Sequence, residues 1–200
     1  MLTGVNAIGV GEASGMFPID DRTCAYDEGM LDKFDALIEK RGLPWKIRDV
    51  LPKPLMAGEN AGSLTKEGAA RLNGQLKEGV PFAPAEGDAG TGMTSTNAVS
   101  PRTGNVSAGT SIFAMVVLEH PLKNIYPEID VVATPAGAPT AMVHCNNCTN
   151  DINAWVGMLR ETAELFGAKV NAGDLYTALY KKSLEGAADC DGVLVYNYMA

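Results

Sequence analysis

The stretch "EGDAGTGMTSTNAVSPRTGNVSAGTSIFAM", Glu86–Met115, decides how this chain is read. Asp88 is boxed in by Gly87, Gly90 and Gly92. Further on, Gly109-Thr110-Ser111 interrupts what otherwise reads as a strand, with almost no other charge between the two features. Glycines on both sides of Asp88 open its backbone to close approach by a ligand. A carboxylate at a strand end can accept a proton from a substrate hydroxyl. An aspartate in a glycine-rich turn also bonds its own backbone, so composition alone leaves both readings open. Gly109, Thr110 and Ser111 present backbone N–H groups and hydroxyls that suit phosphate oxygens. The same glycine also fits a β-bulge or a hairpin. The Gly-x-x-x-x-Gly-Lys-Ser/Thr phosphate loop is a different pattern and is not met here.

Around this stretch lie 200 residues, of which 46% are apolar, enough for one large domain or parts of two. The formal net charge of −8 argues against nucleic acid and anionic membranes as partners, because both would repel it. No apolar run reaches the ~18–20 residues of a membrane-spanning helix. The N-terminus lacks the basic region of a signal peptide, and four cysteines do not make a disulfide scaffold. A reduced, cytoplasmic protein is expected. Both termini are apolar, which is the pattern of a piece of a longer chain.

Helix signals are strongest in "DEGMLDKFDALIEKRG". Met30, Leu31, Phe34, Leu37 and Ile38 repeat at helical spacing, with Asp27 as cap and Gly42 as stop. The proline-rich "LPWKIRDVLPKPLMAGENAG" reads as an extended connector with a short turn. Thr65 caps a helix over "KEGAARLNGQL", and "VPFAPAEGD" reads as a short strand running into a loop. "SPRTGN" has the composition of a turn. "NVSAGTSIFAMVVLE" reads as one or two strands, and "IDVVATPAGAPTAMVHC" as strand, Pro-Gly turn, strand. Thr149 is placed as the cap of a helix whose apolar stripe is Ile152, Trp155, Val156, Leu159, Ala163 and Phe166. "GDLYTALYKKSLEG" is a further helix and "GVLVYNY" a buried strand. Strand clusters followed by helices indicate an α/β or α+β architecture.

One cluster competes for the chemistry. His144, Cys145 and Cys148 form a C-x-x-C with an adjacent histidine, which suits zinc or redox work. Zinc requires four ligands, and Cys24, Cys190 and His120 are scattered. Cys145 and Cys148 are read instead as small buried residues, and no metal-ligating residue is assigned. Lys181 and Lys182 are read as a solvated helix face, and Trp45 and Trp155 as core or interface anchors.

The order of three segments is more specific than any of them alone: "ASGMFPID", then "LPKPLMAGENAGSLTKEGAARLNGQLKEGVPFAPAEGDAGTG", then "GNVSAGTSIFAMV". In this order the chain resembles the middle of an FGGY-family carbohydrate kinase, xylulokinase-like, over about residues 7–200. The resemblance implies an α/β chain with the ribonuclease-H-like, actin-like ATPase fold, carrying parts of two domains. Residues 1–91 would be the C-terminal part of the first kinase domain and 92–200 the N-terminal part of the second. Asp88 would match the catalytic base, and Gly109, Thr110 and Ser111 the hairpin that holds the nucleotide's phosphates. Asn150–Trp155 would lie on the nucleotide side.

The resemblance also implies ATP and Mg²⁺, and a sugar or polyol substrate. The family's D-x-G-T phosphate loop and adenine-binding glycine motif are not met in this chain, and Glu12 and Met16 depart from its aspartate and threonine. Two alternatives stay open: a non-kinase actin-like ATPase or regulatory relative, and a thiol or metal module at Cys145 and Cys148. An exposed apolar face also leads to the expectation of a homodimer.

Overall fold

The computed structural model describes residues 1–195. Two units divide the chain, Met1–Ser107 with Ala114–Val143, and Ala108–Phe113 with His144–Ala200. The first unit opens with β1 (Ala7–Gly9), α1 (Val10–Met16) and the antiparallel pair β2 (Ile19–Asp20) and β3 (Ala25–Tyr26). Then come α2 (Glu28–Lys40), α3 (Ile47–Val50) and β4 (Lys53–Leu55). A strand as short as β1 needs a partner, and it pairs in parallel with β4, Ala7 beside Lys53 and Gly9 beside Leu55.

Helix α2 forms where its periodicity predicts. Asp27 accepts a hydrogen bond from the Met30 N–H at 2.8 Å, a cap worth about 1 kcal/mol. Its buried edge is Leu31 and Ile38, while Phe34 meets Phe17 edge-on at 5.9 Å. The stretch read as a connector contains α3 and β4. Arg48 of α3 reaches Asp32, Asp35 and Glu28 of α2 at 2.7, 3.0 and 3.2 Å, so one guanidinium fork holds the short helix in place.

Helix α4 (Lys66–Arg71) is capped by Thr65, whose hydroxyl accepts from the Gly68 N–H and donates to the Leu2 carbonyl. It is shorter than the sequence predicts. Asn73 and Gly74 adopt positive φ and turn the chain away before Leu76. The expected strand in "VPFAPAEGD" reduces to an isolated bridge between Ser63 and Pro81. A larger correction concerns Asp88. It does not end a strand; it begins helix α5 (Asp88–Ser95). Met93 of α5 packs against Met115 and Val117, all three almost fully buried, with Ala89, Val99, Ala138 and Met142 around them.

The largest sheet has four strands: β5 (Gly104–Ala108), β6 (Ile112–Val117), β7 (Asp130–Ala133) and β8 (Pro139–Cys145), in the order β5-β6-β8-β7. Strands β7 and β8 form the expected hairpin, with Asp130 beside Met142 and Ala133 beside Pro139. Its turn closes on buried Thr134, whose carbonyl and hydroxyl accept from the Gly137 and Ala138 N–H groups.

The second unit holds α6 (Thr149–Leu165) and α7 (Ala172–Ser183), followed by a 3₁₀ turn at Cys190–Gly192. Both helices lie where the apolar pattern places them. Of the predicted α6 stripe, however, only Val156 is buried; Trp155 is 50% exposed and Phe166 88% exposed. Trp155 is therefore not a core anchor, and Trp45, 39% exposed, is not one either. Lys182 pairs with Glu185 at 2.6 Å on an exposed face, as expected. Val193, Leu194 and Val195 are exposed and belong to no strand, against the expected buried strand, whose remaining residues lie outside the described ones. No helix among the described residues is long and apolar enough to cross a membrane.

Candidate active site

In the first unit, the chain approaching Asp88 is tied to the β1–α1 junction. The Ala85 carbonyl accepts from the Gly9 N–H at 2.7 Å. The next side chain, Glu86, accepts from the Gly11 N–H at 3.1 Å and from the Glu12 N–H at 2.9 Å. These N–H groups belong to the first turn of α1 and have no partner within their own helix. Burial pushes the Glu86 carboxyl above its usual range, the two N–H bonds pull it down, and neighbouring Glu12 raises it again; the net shift is upward.

After Gly87, α5 starts on Asp88. An acidic residue in the first turn is favoured by the helix dipole. Asp88 is exposed, and among the described residues its carboxylate accepts only from the adjacent Ala89 N–H, at 2.9 Å. Open lone pairs therefore remain on this carboxylate for a further donor. The far end of α5 is also held. Asn105 of β5 donates from Nδ2 to the Thr96 hydroxyl at 2.9 Å, and that hydroxyl donates to the Gly92 carbonyl. With Met93 in the core, Asp88 stands on a short helix fixed at three points.

In the second unit, Gly109, Thr110 and Ser111 form the tight link between β5 and β6. The Gly109 N–H donates to the Ser111 carbonyl at 2.8 Å, and the Gly109 carbonyl accepts from the Thr149 N–H at 3.1 Å. That contact corrects the expected cap. Cys148 holds the N-cap position of α6 without a side-chain bond, and the hairpin carbonyl satisfies the Thr149 N–H instead. Gly109 and Thr110 are exposed, and a Cβ at Gly109 would meet only the Ser111 carbonyl, at 3.8 Å. The Gly109 N–H is engaged within the turn, while the Thr110 side chain is exposed to solvent. Asn150–Trp155 form the first turns of α6 beside this link.

The cysteine cluster differs from its expected form. His144 stacks face to face on Phe113, with centroids 4.5 Å apart and planes 9° apart. Cys145 is exposed and Cys148 half-buried, so the expectation that both are buried fails for Cys145. Both are free thiols, and among the described residues no three His, Cys, Asp or Glu side chains are grouped to hold a metal.

The structure therefore joins Gly109, Thr110 and Ser111 to the α6 N-terminus in one unit, and places Asp88 in the other. Sequence reasoning passed over Glu86. Its visible signal was an acidic residue directly before the Gly87-Asp88 pair, with Gly9 and Gly11 far upstream. A separate cavity of about 300 Å³ in the first unit, lined by Ser14, Ile19, Asp21, Leu118, Val131 and neighbouring residues, includes none of the predicted site residues.

Residues 104–200 match the model of the FGGY family of carbohydrate kinases, C-terminal domain. No curated protein matches the chain. Among solved structures, the chain is similar to a xylulose kinase from Rhodospirillum rubrum, at 18% identity and a TM-score of 0.63, over 96% of this chain and 35% of that one. It is similar to the ligand-bound xylulose kinase from Lactobacillus acidophilus, at 14% identity and a TM-score of 0.62, over 96% and 35%. A third is described as a xyloylose kinase from Brucella ovis, at 20% identity and a TM-score of 0.58, over 84% and 31%. The chain spans about a third of the length of these proteins. The likeness gives the fold: a mixed α/β chain of the ribonuclease-H-like, actin-like ATPase type. Over residues 104–200, a little under half of the chain, the sequence is similar to the C-terminal domain of the FGGY family of carbohydrate kinases.

Proposed function

We propose that this chain is part of an ATP-dependent carbohydrate kinase that phosphorylates a hydroxyl of a ketose or polyol. The observation that carries the reading is the family match over residues 104–200. The solved neighbours are xylulose kinases, which favours a ketose. On this reading Asp88 takes the proton from the sugar hydroxyl, the freed oxygen attacks the γ-phosphorus, and ADP leaves. Gly109, Thr110 and Ser111 hold the phosphates, and the Mg²⁺ that accompanies ATP neutralises their charge. Phosphoryl transfer asks little else of a protein beyond in-line positioning and charge stabilisation. The exposed carboxylate on a fixed helix and the exposed Thr110 side chain both suit that task. The same reading assigns residues 1–91 to the first kinase domain and 92–200 to the second, and takes the protein as a cytoplasmic homodimer.

The test is ADP formation from Mg-ATP by the full-length parent, with and without a panel of ketoses and polyols, beside Asp88→Ala. We expect one sugar to raise turnover by orders of magnitude, and the variant to lose that response while still binding ATP. Turnover that ignores every sugar, equal in parent and variant, would favour a non-kinase ATPase instead.

A further inference from the structure

We infer that Glu86 is a positioning residue for Asp88: its carboxylate clamps the segment carrying the base onto the N-terminus of α1. The inference rests on the kinase reading above and deepens it.

Three observations support the clamp. First, one carboxylate bridges elements far apart in sequence, accepting from Gly11 and Glu12, 75 and 74 residues upstream. The adjacent Ala85 carbonyl adds the bond from the Gly9 N–H. The backbone N–H groups of Gly9, Gly11 and Glu12 thus converge on residues 85 and 86. Second, the surroundings admit that carboxylate only because side chains are missing. A Cβ at Gly9 would lie 2.2 Å from the Glu86 carboxyl carbon, and one at Gly11 would lie 2.6 Å from Oε2. On the other side, a Cβ at Gly87 would lie 2.4 Å from a Glu12 carboxylate oxygen. Third, only Gly87 separates the clamp from Asp88, and glycine alone would hold its neighbour loosely.

Among the described residues, the Asp88 carboxylate bonds no distant partner and reaches only the N–H of Ala89. Its direction is therefore set by the backbone on either side. Downstream, Met93 and the Thr96–Asn105 bond fix α5. Upstream, that task falls to Glu86. A base displaced by about 1 Å from its proton costs on the order of 100-fold in rate, which sets the scale expected when the clamp is cut.

The experiment compares Glu86→Ala, Glu86→Gln, Gly11→Ala and Asp88→Ala in the full-length parent. It reads sugar-dependent kcat, KM for ATP and thermal midpoint. Glu86→Ala is expected to lower kcat about 100-fold with KM for ATP unchanged. Glu86→Gln keeps one acceptor oxygen for two N–H donors and is expected to lose about tenfold. Gly11→Ala drives a methyl into the carboxylate's place without removing the charge. Combined with Glu86→Ala it should cost little more than either change alone.

If Glu86→Ala lowers the thermal midpoint so far that it does not fold, Glu86→Gln decides. The clamp is overturned if Asp88→Ala abolishes the sugar response while the Glu86 variants keep the parent's kcat. It is also overturned if Gly11→Ala and Glu86→Ala act additively. An Asp88→Ala variant that retains sugar-dependent turnover overturns the kinase reading itself, and the clamp with it.

Discussion

Met93→Ala tests the docking of α5, on which the placement of Asp88 depends. Met93 is 1% exposed and packs between Met115 and Val117. The substitution removes three heavy atoms from that cluster. At about 0.8 kcal/mol for each buried methylene-sized group, the transfer cost is about 2 kcal/mol. A residual cavity adds to it, and buried Met→Ala changes span about 2–5 kcal/mol in all. Met115 and Met142 line the same space, and flexible thioethers refill gaps well. The expected loss therefore sits in the lower half, about 2–3 kcal/mol. The neighbouring Thr94→Ala is the control. Thr94 is exposed and its hydroxyl donates to the Gly90 carbonyl of its own helix, so its loss should stay within about 0.5 kcal/mol. Urea unfolding reads both as shifts of midpoint at constant slope. Equal losses for the two variants, or a Met93→Ala loss under about 0.5 kcal/mol, would refute a helix with Met93 inside.

Three further outcomes follow from the same structure. Thr65→Ala removes the cap of α4 together with its bond to the Leu2 carbonyl, and should cost about 1 kcal/mol by urea unfolding, whereas no loss would contradict the cap. Gly137→Ala puts a side chain at φ +85° and a Cβ 2.4 Å from the Cys24 sulfur, so left-handed strain of about 1–2 kcal/mol should add to the clash. Cys24→Ala should relieve the clash and leave the strain; a neutral Gly137→Ala would be inconsistent with this turn.

The pH dependence of Glu86 runs opposite to that of a salt-bridged carboxylate. Its pKa is raised in the fold, with burial as the first cause. Its stabilising contribution is therefore full below the unfolded glutamate value of about 4.3 and is lost as pH rises through the higher folded value. Relative to Glu86→Gln, the parent should lose stability across that interval in a pH series of unfolding curves. A flat difference, or one that grows in the parent's favour, would contradict the burial of this carboxylate.

Local signals carried much of the architecture. The apolar repeat of α2 with Asp27 before it, and the Pro-Gly turn between β7 and β8, both correspond to short-range physics: a cap bond three residues long and a hairpin closed by Thr134 and Gly137. The Gly109-Thr110-Ser111 turn was legible for the same reason, since it interrupts a β-branched run. Helix α5 was not legible. Gly90 and Gly92 each weaken a helix by about 1 kcal/mol, and nothing in "DAGTGMTS" reveals that Met93 will be buried against Met115.

The α6 stripe has the helical period but not the burial that period usually implies, because period reports which residues share a face and not what covers it. By itself, then, the sequence determined the elements whose signals are local, and the order of segments that resembles a carbohydrate kinase. Only the tertiary structure decided that Asp88 opens a helix, that the Gly109 carbonyl takes the place of an α6 cap, and that Glu86 reaches back to Gly11 and Glu12. Each depends on a partner tens of residues away, and no local propensity encodes a bond whose other half arrives only when the chain folds.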